Sequence, residues 1–146
     1  MESLDKKVRQ SLSISSLSLA EYHFNRFSLR AADGEGSDEH KINMTLTSRF
    51  VGAEPDGPDG KKYSLAIDVS AATGDDSPFY EVDAEITGVF LANLPEGEAM
   101  ELLFSSGVTE LYNIAKMTVA SMTSSGPFGK LMLPSITVDA HRVEAD

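Results

Sequence analysis

Three stretches of the chain alternate apolar and polar residues with a period of two. Ile42, Met44 and Leu46 alternate with Asn43, Thr45 and Thr47. Tyr63, Leu65, Ile67 and Val69 alternate with Ser64, Ala66 and Asp68. Tyr80, Val82, Ala84, Ile86 and Phe90 share one parity, and Glu81, Asp83 and Glu85 the other. A strand points successive side chains to opposite faces, so each stretch predicts a half-buried strand. The linkers GAEPDGPDGK (52–61) and TGDDSP (73–78) carry turn chemistry, which makes the strands hairpin partners. Three acids on one strand face repel each other, so that face must see water or a basic partner.

A further strand precedes these. LSLAEYHFNRFSLR, from Leu17 to Arg30, is rich in aromatic and β-forming residues. Phe27 and Leu29 share one face by parity, and Tyr22 and Phe24 the other, so a bend or bulge is expected where the apolar face switches. AADGEGSDE (31–39) reads as a loop. After the fourth strand the pattern changes. NLPEGEAMELLF (93–104) allows a short helical turn. From Thr109 to Ser124, Leu111, Ile114, Ala115, Thr118, Val119 and Met122 fall at helical spacing. Thr109 is placed to cap this helix and Gly126 to end it. The fold class is therefore α+β: a four-stranded antiparallel sheet with one main helix after strand four. Residues 1–14 read as a flexible polar arm, 15–141 as the folded domain and 142–146 as a short polar tail.

One amphipathic helix covers little of a sheet whose strands run roughly 50 Å at 3.3 Å per residue. Apolar surface is left over, which points to a homo-oligomer. The net charge of −11 argues against nucleic acid and anionic membrane surfaces. Cysteine is absent, so thiol chemistry and disulfides are excluded and a reducing, cytoplasmic setting suits the chain. No apolar run is long enough for a membrane span. Lys6, Lys7 and Arg9 mimic the start of a signal peptide, but the alternation of Ser with Leu or Ile after them is poor material for its apolar region.

Catalytic and cofactor motifs do not assemble. His23, His40 and His141 lie in separate segments without metal-site spacing. The glycines of 52–60 form no phosphate loop, and Asp56, Asp59 and Gly60 lack the other ligands of a calcium loop. No GxSxG elbow occurs. Glu81, Asp83 and Glu85 lack the apolar pocket that would split their pKa values. The reading is of a non-enzyme without a cofactor or metal.

One stretch fits no ordinary class. SSGPFGKLMLPSITVDA (124–140) is too apolar for a loop and too broken for a helix. Taken in chain order, EITGVF (85–90), then Leu111, Tyr112, Ala115 and Lys116, then this stretch, resemble the SecB family of export chaperones. The helix GVTELYNIAKMTVASMTSSG and the segment PFGKLMLPSITVDAH follow the family pattern in register from Gly107 to His141. The resemblance implies four-stranded antiparallel sheets with helices on one side, forming dimers and dimers of dimers. It implies an ATP-independent holdase that keeps unfolded precursors extended in apolar grooves and delivers them to the SecA motor.

Carried onto this chain, the resemblance places the client groove at Phe128, Leu131, Met132, Leu133, Ile136 and Val138, with Ile42, Met44 and Leu46. For Leu131 and Leu133, groove wall and core are equally open; Ile42 and Leu46 lean to core. Acidic positions of the family's first strand, on the SecA-facing surface, appear here as Arg26 and Arg30, while Glu81, Asp83 and Glu85 stand on the fourth. A dock with half its charges reversed should not bind the same partner, so holding is expected to survive better than SecA delivery. The family's second long helix is expected to be truncated or absent, with room for one turn at HRVEAD. The competing readings are a SecB-like guardian of an antitoxin and a non-chaperone interaction module on the same fold.

Overall fold

A computed structural model describes residues 17–31, 42–56, 60–74, 80–126, 129–138 and 143–145. Four long strands form one antiparallel sheet: β1 (Leu17–Ala31), β2 (Ile42–Asp56), β3 (Gly60–Thr73) and β4 (Tyr80–Ala92). Their order across the sheet is β1-β4-β3-β2. The two hairpins place β2, β3 and β4 side by side, and β1 closes against the far side of β4. Helix α1 (Glu96–Leu102) follows, then a π-helical turn (Leu103–Gly107), then α2 (Val108–Thr123). A two-stranded ribbon, β5 (Ile136–Val138) and β6 (Val143–Ala145), ends the described chain. None of the described helices is long and apolar enough to cross a membrane.

The alternation in β3 and β4 is realised residue by residue. Leu65, Ile67, Val69, Val82, Ala84, Ile86 and Phe90 are buried on one face. The helical run lies over β3 and β4 and buries Leu103, Val108, Leu111, Ala115 and Val119 against them. Burying one such aliphatic side chain is worth about 1.5–3 kcal/mol. Tyr63 shares this core, and its hydroxyl has no hydrogen-bond partner among the described residues.

One local expectation is met and three are corrected. As expected, β1 is bulged where its apolar parity switches, and the bulge unites its apolar residues on one face. Register shifts fall between Leu19 and Glu21 and between Phe24 and Arg26. Each inserts a residue and flips the parity that follows. Leu19, Tyr22, Phe24, Phe27 and Leu29 therefore pair with Phe90, Gly88, Ile86, Ala84 and Val82 on the helix side. Strand β2 runs on through GAEPD to Asp56, with Pro55 opposite Lys61. It is an edge strand, where proline removes no ladder bond. Thr109 is not a cap: helical conformation continues through Gly107, and the Thr109 hydroxyl donates to the Ser105 carbonyl. At the C-terminus the expected helical turn is instead strand β6, paired antiparallel with β5.

Gly88 sets how closely α2 approaches the sheet. A Cβ there would lie 2.7 Å from Leu111 Cδ2 and 3.1 Å from Leu19 Cδ1. Overpacking of this kind typically costs about 1–3 kcal/mol. Gly88→Val is expected to lower the denaturant midpoint by a corresponding amount, with Gly88→Ala less affected; an unchanged midpoint for both would show that the contact yields freely.

Candidate functional site

The irregular stretch after α2 is held by side chains in place of a backbone ladder. The buried Thr123 hydroxyl accepts the Leu131 N–H at 2.7 Å and donates to the Val119 carbonyl at 2.7 Å. The Tyr80 hydroxyl donates to the Gly129 carbonyl at 2.8 Å. A Cβ on Gly126 would fall 2.5 Å from that tyrosine oxygen, so a larger residue would dislodge the contact. The Tyr112 hydroxyl donates to the Pro134 carbonyl, with Met44 Sδ of β2 3.4 Å from the same oxygen. Desolvation pushes the Tyr112 phenol up to about 12, so it stays a donor at physiological pH. These bonds lay the stretch along the β2 side of α2.

The sequence-predicted groove residues separate in this geometry. Leu131 and Leu133 are core, 3% and 2% exposed. Between them Met132 points outward and is 50% exposed. Ile42, Met44, Leu46 and Ile136 are half-buried and pack against the core. Phe128 lies outside the described residues, as does the side chain of Val138, whose backbone belongs to β5. The burial of Leu131 and Leu133 has a simple cause. Their strip fills the apolar space beside α2 that one helix leaves over a four-stranded sheet.

The exposed apolar groups lie elsewhere. Met117 on the outer face of α2 is 72% exposed, and Met122, expected on its buried face, is exposed near the helix end. Beside Met117 and Met132 runs an open groove that also takes in Lys116, Ala120, Ser121 and Lys130. Sequence reasoning missed Met117, Lys116 and Lys130 as surface features. Met117 falls outside the apolar stripe of its helix, and that was the available signal. On β1, Tyr22 is 48% exposed and joins Phe24 and Phe27 in edge-to-face ring contacts at 6.5 and 5.2 Å.

The opposite sheet face is a lattice of ion pairs. Arg26 reaches Asp68 at 2.7 Å and Asp83 at 3.0 Å. Arg30 pairs with Glu81, and Arg49 with Glu85 at 3.1 Å. Asn25 donates to Glu85 at 2.7 Å and to Thr87 at 2.6 Å. The three acids of β4 are thus met by arginines of the same chain, from β1 and β2. The face sees water, as expected of three acids on one strand, and the basic partners come from the same chain, brought there by sheet order. Each exposed pair is worth little alone, but together they leave no bare acidic strip on β4.

The family described as Preprotein translocase subunit SecB matches residues 28–141. The chain belongs to the SecB family. Among solved structures, the SecB-like chaperone Rv1957 of Mycobacterium tuberculosis, in complex with a ChAD peptide from the HigA1 antitoxin Rv1956, matches with a TM-score of 0.54 and 13% identity. The match covers 86% of this chain and 94% of that one. A Streptococcus agalactiae protein of unknown function matches at a TM-score of 0.44 and 12% identity, over 80% of this chain and 95% of that one. No curated protein sequence matches the chain. The four-stranded antiparallel sheet followed by the long helix is the SecB-like fold.

Leu133→Asp buries a charge in the core and is expected to abolish the cooperative unfolding transition, whereas Met132→Asp keeps it. Circular dichroism melts of both variants decide; a stable Leu133→Asp would return that residue to the surface. Asn25 first, and Arg49 second, hold the Glu85 carboxyl below its ordinary value. Its contribution to stability is therefore present in full above the unfolded value and is lost as pH falls through the folded one. Asn25→Ala should move the Glu85 midpoint upward in a carboxyl NMR titration; no movement would assign the shift to other groups.

Proposed function

We propose that this SecB-family protein is an ATP-independent holdase for unfolded or precursor polypeptides, acting as a homo-oligomer in the cytoplasm. Family membership carries the reading. Its physical support is apolar surface left open on a well-packed fold: Met117, Met122 and Met132 around α2, and Tyr22 with half-buried Phe24, Phe27 and Leu29 on β1. Unbranched thioethers adapt to many shapes, which suits a binder of varied segments. The half-buried Ile42, Met44, Leu46 and Ile136 extend that surface toward β2.

A second reading concerns the client. In the resemblance, the acidic sheet face is the SecA-facing surface. Here Arg26, Arg30 and Arg49 occupy Asp68, Glu81, Asp83 and Glu85 from within. A basic partner would have to displace them, so SecA delivery is disfavoured relative to holding a dedicated client. The Mycobacterium tuberculosis neighbour, seen with an antitoxin peptide, supports an antitoxin-type client.

The test is suppression of aggregation of a chemically unfolded client without ATP, with sedimentation of the protein alone and of the complex. Suppression with a stable complex, and a free protein larger than a monomer, are expected. A well-folded protein that leaves aggregation unchanged would favour an interaction module without holding activity. A monomer at micromolar concentration would remove the oligomer.

A further inference from the structure

The stretch after α2 has two sides, and only one is core. Leu131 and Leu133 face inward, while Met132 opens beside the outer face of α2. The groove between them measures about 580 Å³. Its charged lining residues are two lysines, Lys116 and Lys130, and its exposed apolar ones are Met117 and Met132.

The lysines differ from the arginines of the sheet. Arg26, Arg30 and Arg49 are each tied to carboxylates of their own chain. Neither Lys116 nor Lys130 forms an ion pair among the described residues; Lys116 donates to the Ser135 hydroxyl at 3.4 Å. On a chain of net charge −11, two uncompensated cations beside flexible thioethers are a local exception. An acidic segment is repelled by the protein as a whole and attracted here. The chemistry that fits is an apolar side chain with carboxylates near it. The thioethers adapt to the apolar group, and the ammonium groups, each with three donors, meet the carboxylates.

We propose that this groove selects acidic segments of client polypeptide, with an apolar side chain seated between Met117 and Met132 and flanking carboxylates on Lys116 and Lys130. The proposal rests on the holdase reading and names the class of segment that this part of the surface prefers. On the sheet face, by contrast, Arg26, Arg30 and Arg49 already hold carboxylates of their own chain.

The experiment uses the full chain and two fluorescent extended peptides of equal length. One carries Asp and Glu around a central Leu; the other carries Asn and Gln at the same positions. Anisotropy is read at low salt for the wild type, for Lys116→Gln/Lys130→Gln and for Lys116→Glu/Lys130→Glu, with circular dichroism confirming the fold. The wild type is expected to favour the acidic peptide roughly three- to tenfold, the sum of two partly exposed ion pairs. The preference should vanish in the Gln pair, reverse in the Glu pair and fade at about 0.5 M salt. Equal binding of both peptides by the wild type would overturn the proposal, as would a preference that the Gln pair leaves intact. A Gln pair that sediments as a smaller species would assign the groove to a second copy of the chain, which also overturns it. Aggregation suppression on the same wild-type sample separates the two readings. Suppression without acid preference sinks this proposal alone; absence of both sinks the holdase as well.

Discussion

A four-stranded sheet is wider than one helix. Strands spaced about 4.8 Å apart span roughly 15 Å between outer axes, before side chains are added. A helix with its side chains is about 10–12 Å across. The run from Glu96 to Thr123 therefore covers β3 and β4 well and the outer strands poorly. Everything distinctive about the apolar side follows from that mismatch. On the β2 side, the irregular stretch with Leu131 and Leu133 fills the shortfall. On the β1 side, Tyr22, Phe24, Phe27 and Leu29 remain partly open.

Filling a gap with irregular backbone raises a second requirement. Carbonyls and amides outside a ladder must find other partners. Thr123, Tyr80 and Tyr112 provide them, each from an element already fixed by the core. The same arrangement decides what the surface offers. Pinning the backbone at Leu131 and Pro134 turns Leu131 and Leu133 inward and leaves Met132 outside. A stretch that reads as uniform grease thus becomes half structural plug and half exposed surface.

The two faces of the sheet obey different physics. The helix side is organised by burial, and the other by charge matching across strands. Because β1 lies beside β4, its arginines stand over the acids of β4. Arg26 spans further, to Asp68 on β3. The resulting face is polar without being acidic along β4. That separates this chain from a surface built to attract basic partners, even though its overall charge is −11.

Period-two alternation determined the β2, β3 and β4 strands, and the turn chemistry determined that they are hairpins. Helical spacing determined α2 to within a residue at each end, and the ordered motifs from EITGVF onward pointed to the SecB family. These are local properties, legible because strand and helix impose their own periods on the chain. Tertiary structure alone decided the rest. Periodicity cannot say how many residues a bulge inserts, so the common face of Tyr22, Phe24, Phe27 and Leu29 emerged only from pairing with β4. An irregular stretch has no period, so which of Leu131, Met132 and Leu133 is buried depended on where Thr123 and Tyr112 anchor it. The partners of Glu81, Asp83 and Glu85 lie on β1 and β2, and only the order of strands across the sheet brings those charges together.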